Sequence, residues 1–153
     1  MKKLILIIGL SLLVPIAALS ANETTGQQIM RNGTHNTVLL DNSHFTGTVY
    51  MESLFAPQKE FKTYGATVTF APGARTYWHI HPAGQLLIVT QGIGYTQEWG
   101  KPVQTIYPGD VIWCPPGVKH WHGATATHSM THLAISEKRS SPVQWQEEVK
   151  TIP

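Results

Sequence analysis

The chain reads as an all-β domain in which short strands close into a sandwich or barrel. Two observations predict this. Thirteen glycines and ten prolines punctuate the 153 residues, and they separate short runs rich in Val, Ile, Thr and Tyr. Within those runs apolar and polar residues alternate, which is the period of a strand with one buried face. About ten such runs can be counted, and turn signals fall between them.

Taken in order, residues 22–36 are polar and form a lead-in, and residues 37–40 are a first short strand. Residues 45–55 read as one longer strand, with Phe45, Val49, Met51 and Phe55 on one parity. Ala56, Pro57 and Gln58 end it. Residues 61–70 put Ala66, Val68 and Phe70 on one face and Thr67 and Thr69 on the other. After the turn at Ala71, Pro72 and Gly73, residues 76–81 and 85–90 are two further strands. Gly92 and Gly94 mark a turn or bulge before residues 95–99. Gly100, Lys101 and Pro102 suit a hairpin to residues 103–107, and Pro108-Gly109 leads into residues 110–113. Residues 119–122 and 128–136 read as the last core pair, joined by residues 123–127. The tail alternates Val143, Trp145 and Val149, which favours an added edge strand over a short helix opened by Ser141 and Pro142.

The first twenty residues stand apart. Lys2 and Lys3 precede an apolar run, and Ala18, Leu19, Ser20 and Ala21 offer small residues for cleavage. That is the pattern of a secretory signal peptide. The run is shorter than the ~20 residues of a membrane span, and Pro15 interrupts it. The expected organisation is a signal peptide at 1–20, a lead-in and first strand at 21–40, a barrel at 41–138 and a tail at 139–153. The expected product is an exported protein of a bacterial periplasm or the medium, with no membrane attachment after cleavage. With a net charge of +2 and no basic run after the first three residues, nothing in the sequence calls for nucleic acid or an anionic membrane as a partner. A single cysteine, Cys114, excludes an intramolecular disulfide and reads as a buried filler.

Eight histidines against nine carboxylates is a large supply of imidazole. His79 and His81 lie two apart on a strand, so both rings point to one face. Gln85 follows across Pro82, Ala83 and Gly84, where a tight turn and a returning strand would bring it beside them. His120 and His122 repeat the two-residue spacing after Pro115, Pro116 and Gly117. Three imidazoles and one amide oxygen suit a divalent transition metal, with iron, manganese, zinc and nickel all compatible. Gln85 either ligates or hydrogen-bonds a ligand. Neutral ligands leave the full 2+ charge on the ion, which favours anionic guests such as hydroxide, cyanide or an alkoxide.

On the late strand His128, Met130, His132 and Ala134 share a parity. His132 lies deepest, and an unligated imidazole near a dication stays neutral and can accept a proton. His122 shares the inward parity of His120 and either joins this chemistry or orients a ligand. Ala66 and Val68 are expected to line a small pocket. Trp99, Trp113, Trp121 and Trp145 read as packing, Asp110 as a turn hydrogen-bonder, and Arg75 and Lys119 as surface or entrance residues. His35, His44 and His128 read as surface or loop residues. With His79, His81 and Gln85 inward, Trp78, Ile80, Leu86 and Ile88 point outward and need cover. A homo-oligomer of at least a dimer is one source of cover; the chain's own N-terminal strand or tail is the other.

The same residues resemble the cupins. The first cupin motif is Gly, five residues, His-x-His, three or four residues, Glu, six residues, Gly. Gly73, His79, His81 and Gly92 match it, with Gln85 in place of Glu. The second is Gly, five residues, Pro-x-Gly, two residues, His, three residues, Asn. Gly109, Pro115, Gly117 and His120 match, with Ala124 in place of Asn. The resemblance implies a jelly-roll barrel.

Residues 74–85, 115–125 and 130–136 are most similar to small bacterial manganese cupins with hydroxynitrile lyase activity. That similarity implies Mn(II) as cofactor, held by His79, His81, Gln85 and His120, with His132 acting beside it. Ala66 and Val68 match small pocket residues of that group, and Ser136 stands where it can carry glutamine. The implied reaction is cleavage of a small-molecule cyanohydrin to an aldehyde and cyanide. Related lyase chemistry, an oxygen-using cupin of the dioxygenase type, and a non-enzymatic binder of metal or small anions are the other expectations.

Overall fold

The structure is a computed structural model that describes residues 26–153. The expected signal peptide lies outside the described residues. Among them are thirteen strands and no helix. In chain order these are β1 (Val38–Leu39), β2 (Phe45–Thr46), β3 (Val49–Phe55), β4 (Thr63–Phe70), β5 (Arg75–Thr76), β6 (His79–Ile80) and β7 (Gln85–Gly92). They continue with β8 (Gly94–Glu98), β9 (Gln104–Ile106), β10 (Val111–Cys114), β11 (Lys119–Ala124), β12 (Met130–Glu137) and β13 (Gln144–Trp145).

Two antiparallel sheets form the jelly roll. One has the order β1-β3-β4-β12-β7-β10. The other runs β13-β6-β11-β5-β2, with β8 on the far side of β11 and β9 beside β8. The inward residues of the two sheets meet as expected from their parity. At one end Val49, Val68, Phe70, Val89, Ile106 and Met130 form the main core. Burying side chains of this kind contributes roughly 1.5–3 kcal/mol each. The histidines occupy the rest of the space between the sheets.

Four expectations about pairing need correction, and each has a backbone cause. Residues 45–55 are not one strand. Gly47 has φ +78, and a Cβ there would stand 3.0 Å from that of Ala74; the chain turns and carries β2 into one sheet and β3 into the other. Residues 76–81 are also divided. The Tyr77 amide donates to the His44 carbonyl at 2.8 Å and the Trp78 amide to the Glu147 carbonyl at 3.0 Å, so the backbone leaves β11 between β5 and β6. Gln85 does not return on a hairpin, because β6 and β7 belong to opposite sheets. Finally, β11 and β12 are not a pair. β12 lies between β4 and β7, so residues 125–129 cross from one sheet to the other.

The tail forms an edge strand, as its alternation suggests. Gln144 pairs with Ile80 and Trp145 with His79. Beyond β13 the Gln146 amide donates to the Trp78 carbonyl at 2.8 Å. Val149 packs with Trp78 and Trp121. The outward face of Trp78 is therefore covered by the chain's own tail. Arg75 and Lys119, expected at the surface or an entrance, hold this tail: Arg75 Nε donates to the Val149 carbonyl at 2.8 Å and Lys119 pairs with Glu147. Lys119 Nζ also sits 3.6 Å from the centre of the Trp99 ring.

Candidate metal centre and active site

The site lies between the sheets, with its rings supplied from both. β6 supplies His79, and β11 supplies His120 directly opposite it. The two ring centres are 4.3 Å apart. His81 follows β6, and its ring centre is 5.2 Å from that of His79 and 5.9 Å from that of His120. Gln85 opens β7 in the other sheet and reaches across, placing Oε1 3.2 Å from His120 Nε2. All four of these side chains are buried. The structure thus places His79, His81, Gln85 and His120 near one another, by a crossing between sheets and not by the expected hairpin.

His122 and His132 meet from opposite sheets. His132 Nε2 lies 3.1 Å from His122 Nδ1, so one of these nitrogens donates to the other. Phe70 packs against both rings, with centre-to-centre distances of 5.7 and 5.5 Å. The outer nitrogens of the pair, His122 Nε2 and His132 Nδ1, are buried without a partner. In a neutral pair one outer nitrogen carries a proton and the other a bare lone pair. Leaving either unsatisfied costs roughly 1–3 kcal/mol, so a water, a guest or an ion is required as its partner.

Burial sets the protonation state of the whole cluster. Desolvation is the main cause that lowers the pKa of His79, His120 and His122, the first and last well below the usual imidazole value. It lowers His81 and His132 to about 4. The rings also repel one another's positive charge; His120 acts in this way on His79 and His81. At neutral pH all five are uncharged, the form that ligates a metal.

The tautomers follow from the backbone. His79 Nδ1 donates to the Tyr77 carbonyl at 2.9 Å, and His120 Nδ1 to the Val118 carbonyl at 3.0 Å. With the proton at Nδ1, each Nε2 presents a lone pair. His120 Nε2 then faces the amide oxygen of Gln85 as acceptor against acceptor, which either a cation between them or a flip that turns the amide NH2 to the ring would relieve. His79, His120 and His122 each offer a ligand atom within 4.8 Å of the others. The residues present therefore fit a divalent transition metal of the imidazole-loving kind. His79 and His120 belong to both the expected ligand set and this tighter group; His122 belongs only to the second, and the expected ligand His81 lies outside it.

A cavity of about 220 Å³ adjoins these rings. Ala66, Val68 and Ser136 line it, as expected for the pocket. Val68 pairs with His132 and Ala66 with Ala134 across β4 and β12, which brings the small residues beside the imidazole. Leu40, Phe45, Met51, Phe70, Val143 and Trp145 complete an apolar wall. Trp145, expected to be packing, is half-buried and belongs to that wall. Its alternation with Val143 was the available signal in the sequence. Trp99 and Trp113, also expected to pack, are more than half exposed, whereas Trp121 is fully buried. Cys114 is buried, and desolvation pushes its thiol up to about 11, as suits an inert filler. Asp110 accepts from the Tyr107 amide at 2.8 Å and closes its turn.

A two-sheet jelly roll with histidines gathered between its sheets defines a class, and the chain belongs to the cupins. The family model described as a cupin domain matches residues 66–136. The chain is 55% identical over 106 residues to an (R)-mandelonitrile lyase of Granulicella tundricola, an alignment that covers 69% of this chain and 81% of that one. Among solved structures it resembles a cupin-like protein of Thermotoga maritima, with 40% identity, a TM-score of 0.69 and coverage of 81% of this chain and 92% of that one. A polyketide cyclase of Streptomyces resistomycificus shares the fold at 13% identity, with a TM-score of 0.69 and coverage of 82% and 89%.

Proposed function

We propose that this cupin is a metal-dependent lyase that cleaves cyanohydrins of the mandelonitrile class. The observation that carries the reading is geometric. A buried imidazole nitrogen without a partner, His132 Nδ1, belongs to a ring that lines a largely apolar cavity together with His79, His81, Gln85 and His122. The relative named (R)-mandelonitrile lyase supports the same substrate class.

In this reading His79, His81, Gln85 and His120 hold the ion, Mn(II) by family resemblance, and His122 stands beside it. The ion, when bound, supplies Lewis-acid polarisation of the substrate hydroxyl. The apolar wall takes the substituent of the carbinol carbon and excludes water. His132 accepts the hydroxyl proton at Nδ1, and His122 fixes the ring through the contact at Nε2. The carbon–oxygen double bond forms as the bond to the nitrile carbon breaks, and the electron pair leaves with cyanide. His132 returns the proton to cyanide, so hydrogen cyanide and the aldehyde depart and the site is restored.

Cleavage of mandelonitrile tests this directly: release of benzaldehyde by the metal-loaded protein supports it, and no release above the uncatalysed rate refutes it. Oxygen uptake with a catechol or flavonol in place of cyanohydrin cleavage would assign the site to the oxygenase class instead.

The signal-like first twenty residues support export to a periplasm or the medium. Among the described residues no helix is long and apolar enough to cross a membrane. Val111 and Trp113 are 61% and 56% exposed and pair with Ile88 and Leu86 on the outer face of the six-stranded sheet. That apolar stripe supports a homo-oligomer, for which light scattering at micromolar concentration is the test.

A further inference from the structure

Trp145 occupies a place that neither motif accounts for. Its ring centre lies 4.8 Å from that of His79, 5.4 Å from that of Phe45 and 4.6 Å from that of His44. It therefore packs between a proposed ligand and Phe45, and with Phe45 and Val143 it forms part of the apolar lining of the cavity. Apart from the site's imidazoles and Gln85, the lining holds no charged side chain. The part of a guest that reaches this wall is therefore uncharged and apolar. The cavity, at about 220 Å³, is smaller than the roughly 300–1,000 Å³ usual for drug-sized ligands. One aromatic ring on the carbinol carbon suits it better than two fused rings.

The backbone that carries Trp145 does not depend on the indole. It is held on one side by pairing with β6, and beyond it by the Gln146 amide on the Trp78 carbonyl at 2.8 Å. Thr46 Oγ1 donates to Glu148 at 2.9 Å, and Arg75 donates to the Val149 carbonyl. A smaller side chain at this position would leave the strand in place and the space open, because a site with fixed walls relaxes only partly.

We infer that Trp145 is the specificity-determining residue of this site: the indole, delivered by the C-terminal tail, limits the guest to about one ring. The inference rests on the cavity being the substrate site of the proposed lyase.

The test compares cyanohydrins of benzaldehyde and 2-naphthaldehyde on wild-type protein and on Trp145→Ala and Trp145→Phe, each with its metal content measured. Trp145→Ala should raise the ratio of kcat/KM for the naphthyl over the phenyl substrate by at least about tenfold, the scale on which apolar pockets discriminate size, and Trp145→Phe should fall between. An unchanged ratio in Trp145→Ala with metal retained overturns the inference. Loss of metal in both variants also overturns it, since the indole would then be positioning His79. If wild-type protein cleaves neither substrate, the lyase reading fails by itself. Calorimetric affinities for benzyl alcohol and 2-naphthylmethanol then carry the same test: Trp145→Ala should shift their ratio toward the larger alcohol, and no shift overturns the inference.

Discussion

Acidifying the metal-free protein should destabilise it through its buried histidines, and His132 allows the size to be worked out. Its imidazole has no exposed surface, and desolvation holds its folded pKa at about 4, below the ordinary 6.5. A histidine with a depressed folded pKa supports the native state fully above the unfolded value. Between pH 6.5 and about 4 the unfolded chain binds a proton that the native chain does not. Each pH unit in that window costs roughly 1.4 kcal/mol. At pH 5 the loss from His132 alone is then about 2 kcal/mol, against a total stability of roughly 5–15 kcal/mol for an ordinary domain. His79, His81, His120 and His122 add losses of the same sign. The assay is urea unfolding of chelator-treated protein at pH 7 and pH 5, for wild type and His132→Gln. Wild type should lose about 2 kcal/mol more than the variant over that interval, on the order of 1 M urea in midpoint. Equal losses in the two proteins would refute the reasoning.

Replacing His132 with Ala should abolish cyanohydrin cleavage while elemental analysis finds the metal unchanged; loss of the metal would make His132 a ligand. Gln85→Glu should retain metal yet weaken azide and cyanide binding, because a carboxylate cancels part of the ion's charge, and unaltered anion affinity would contradict the charge argument. Gly123→Ala should destabilise the protein by more than about 1 kcal/mol, since a Cβ there would stand 2.5 Å from the Ala74 carbonyl oxygen on the adjoining segment. A thermal midpoint within a degree of wild type would show that β5 yields without cost.

Local information carried much of this structure. Strand parity alone placed His79, His81, His120, His122 and His132 inward, and it placed Ala66 and Val68 on the same side as the rings. Those are properties of a strand's own alternation. Which sheet a strand joins is a non-local property, and there the pattern failed. Nothing in the alternation of residues 45–55 marks Gly47 as the point where the chain changes sheets, and nothing around Gly123 says that β12 will cross to lie between β4 and β7. The crossing matters to the chemistry, since it brings His132 face to face with His122. The tail shows the same limit: its alternation indicated a strand, but only the pairing of Trp145 with His79 puts the indole in the cavity wall. Arg75 and Lys119 had no local mark of their role, because their partners lie in the tail, far along the chain.

If a divalent cation held among the buried imidazoles and Gln85 drives the proposed cyanohydrin cleavage, turnover must follow the metal. Mandelonitrile cleavage measured against metal content, through chelation and stepwise re-addition of manganese, decides this. Benzaldehyde release should fall to the uncatalysed rate on chelation and return in proportion to bound metal. A rate that survives complete metal removal, or that stays at background with the site fully loaded, would contradict it.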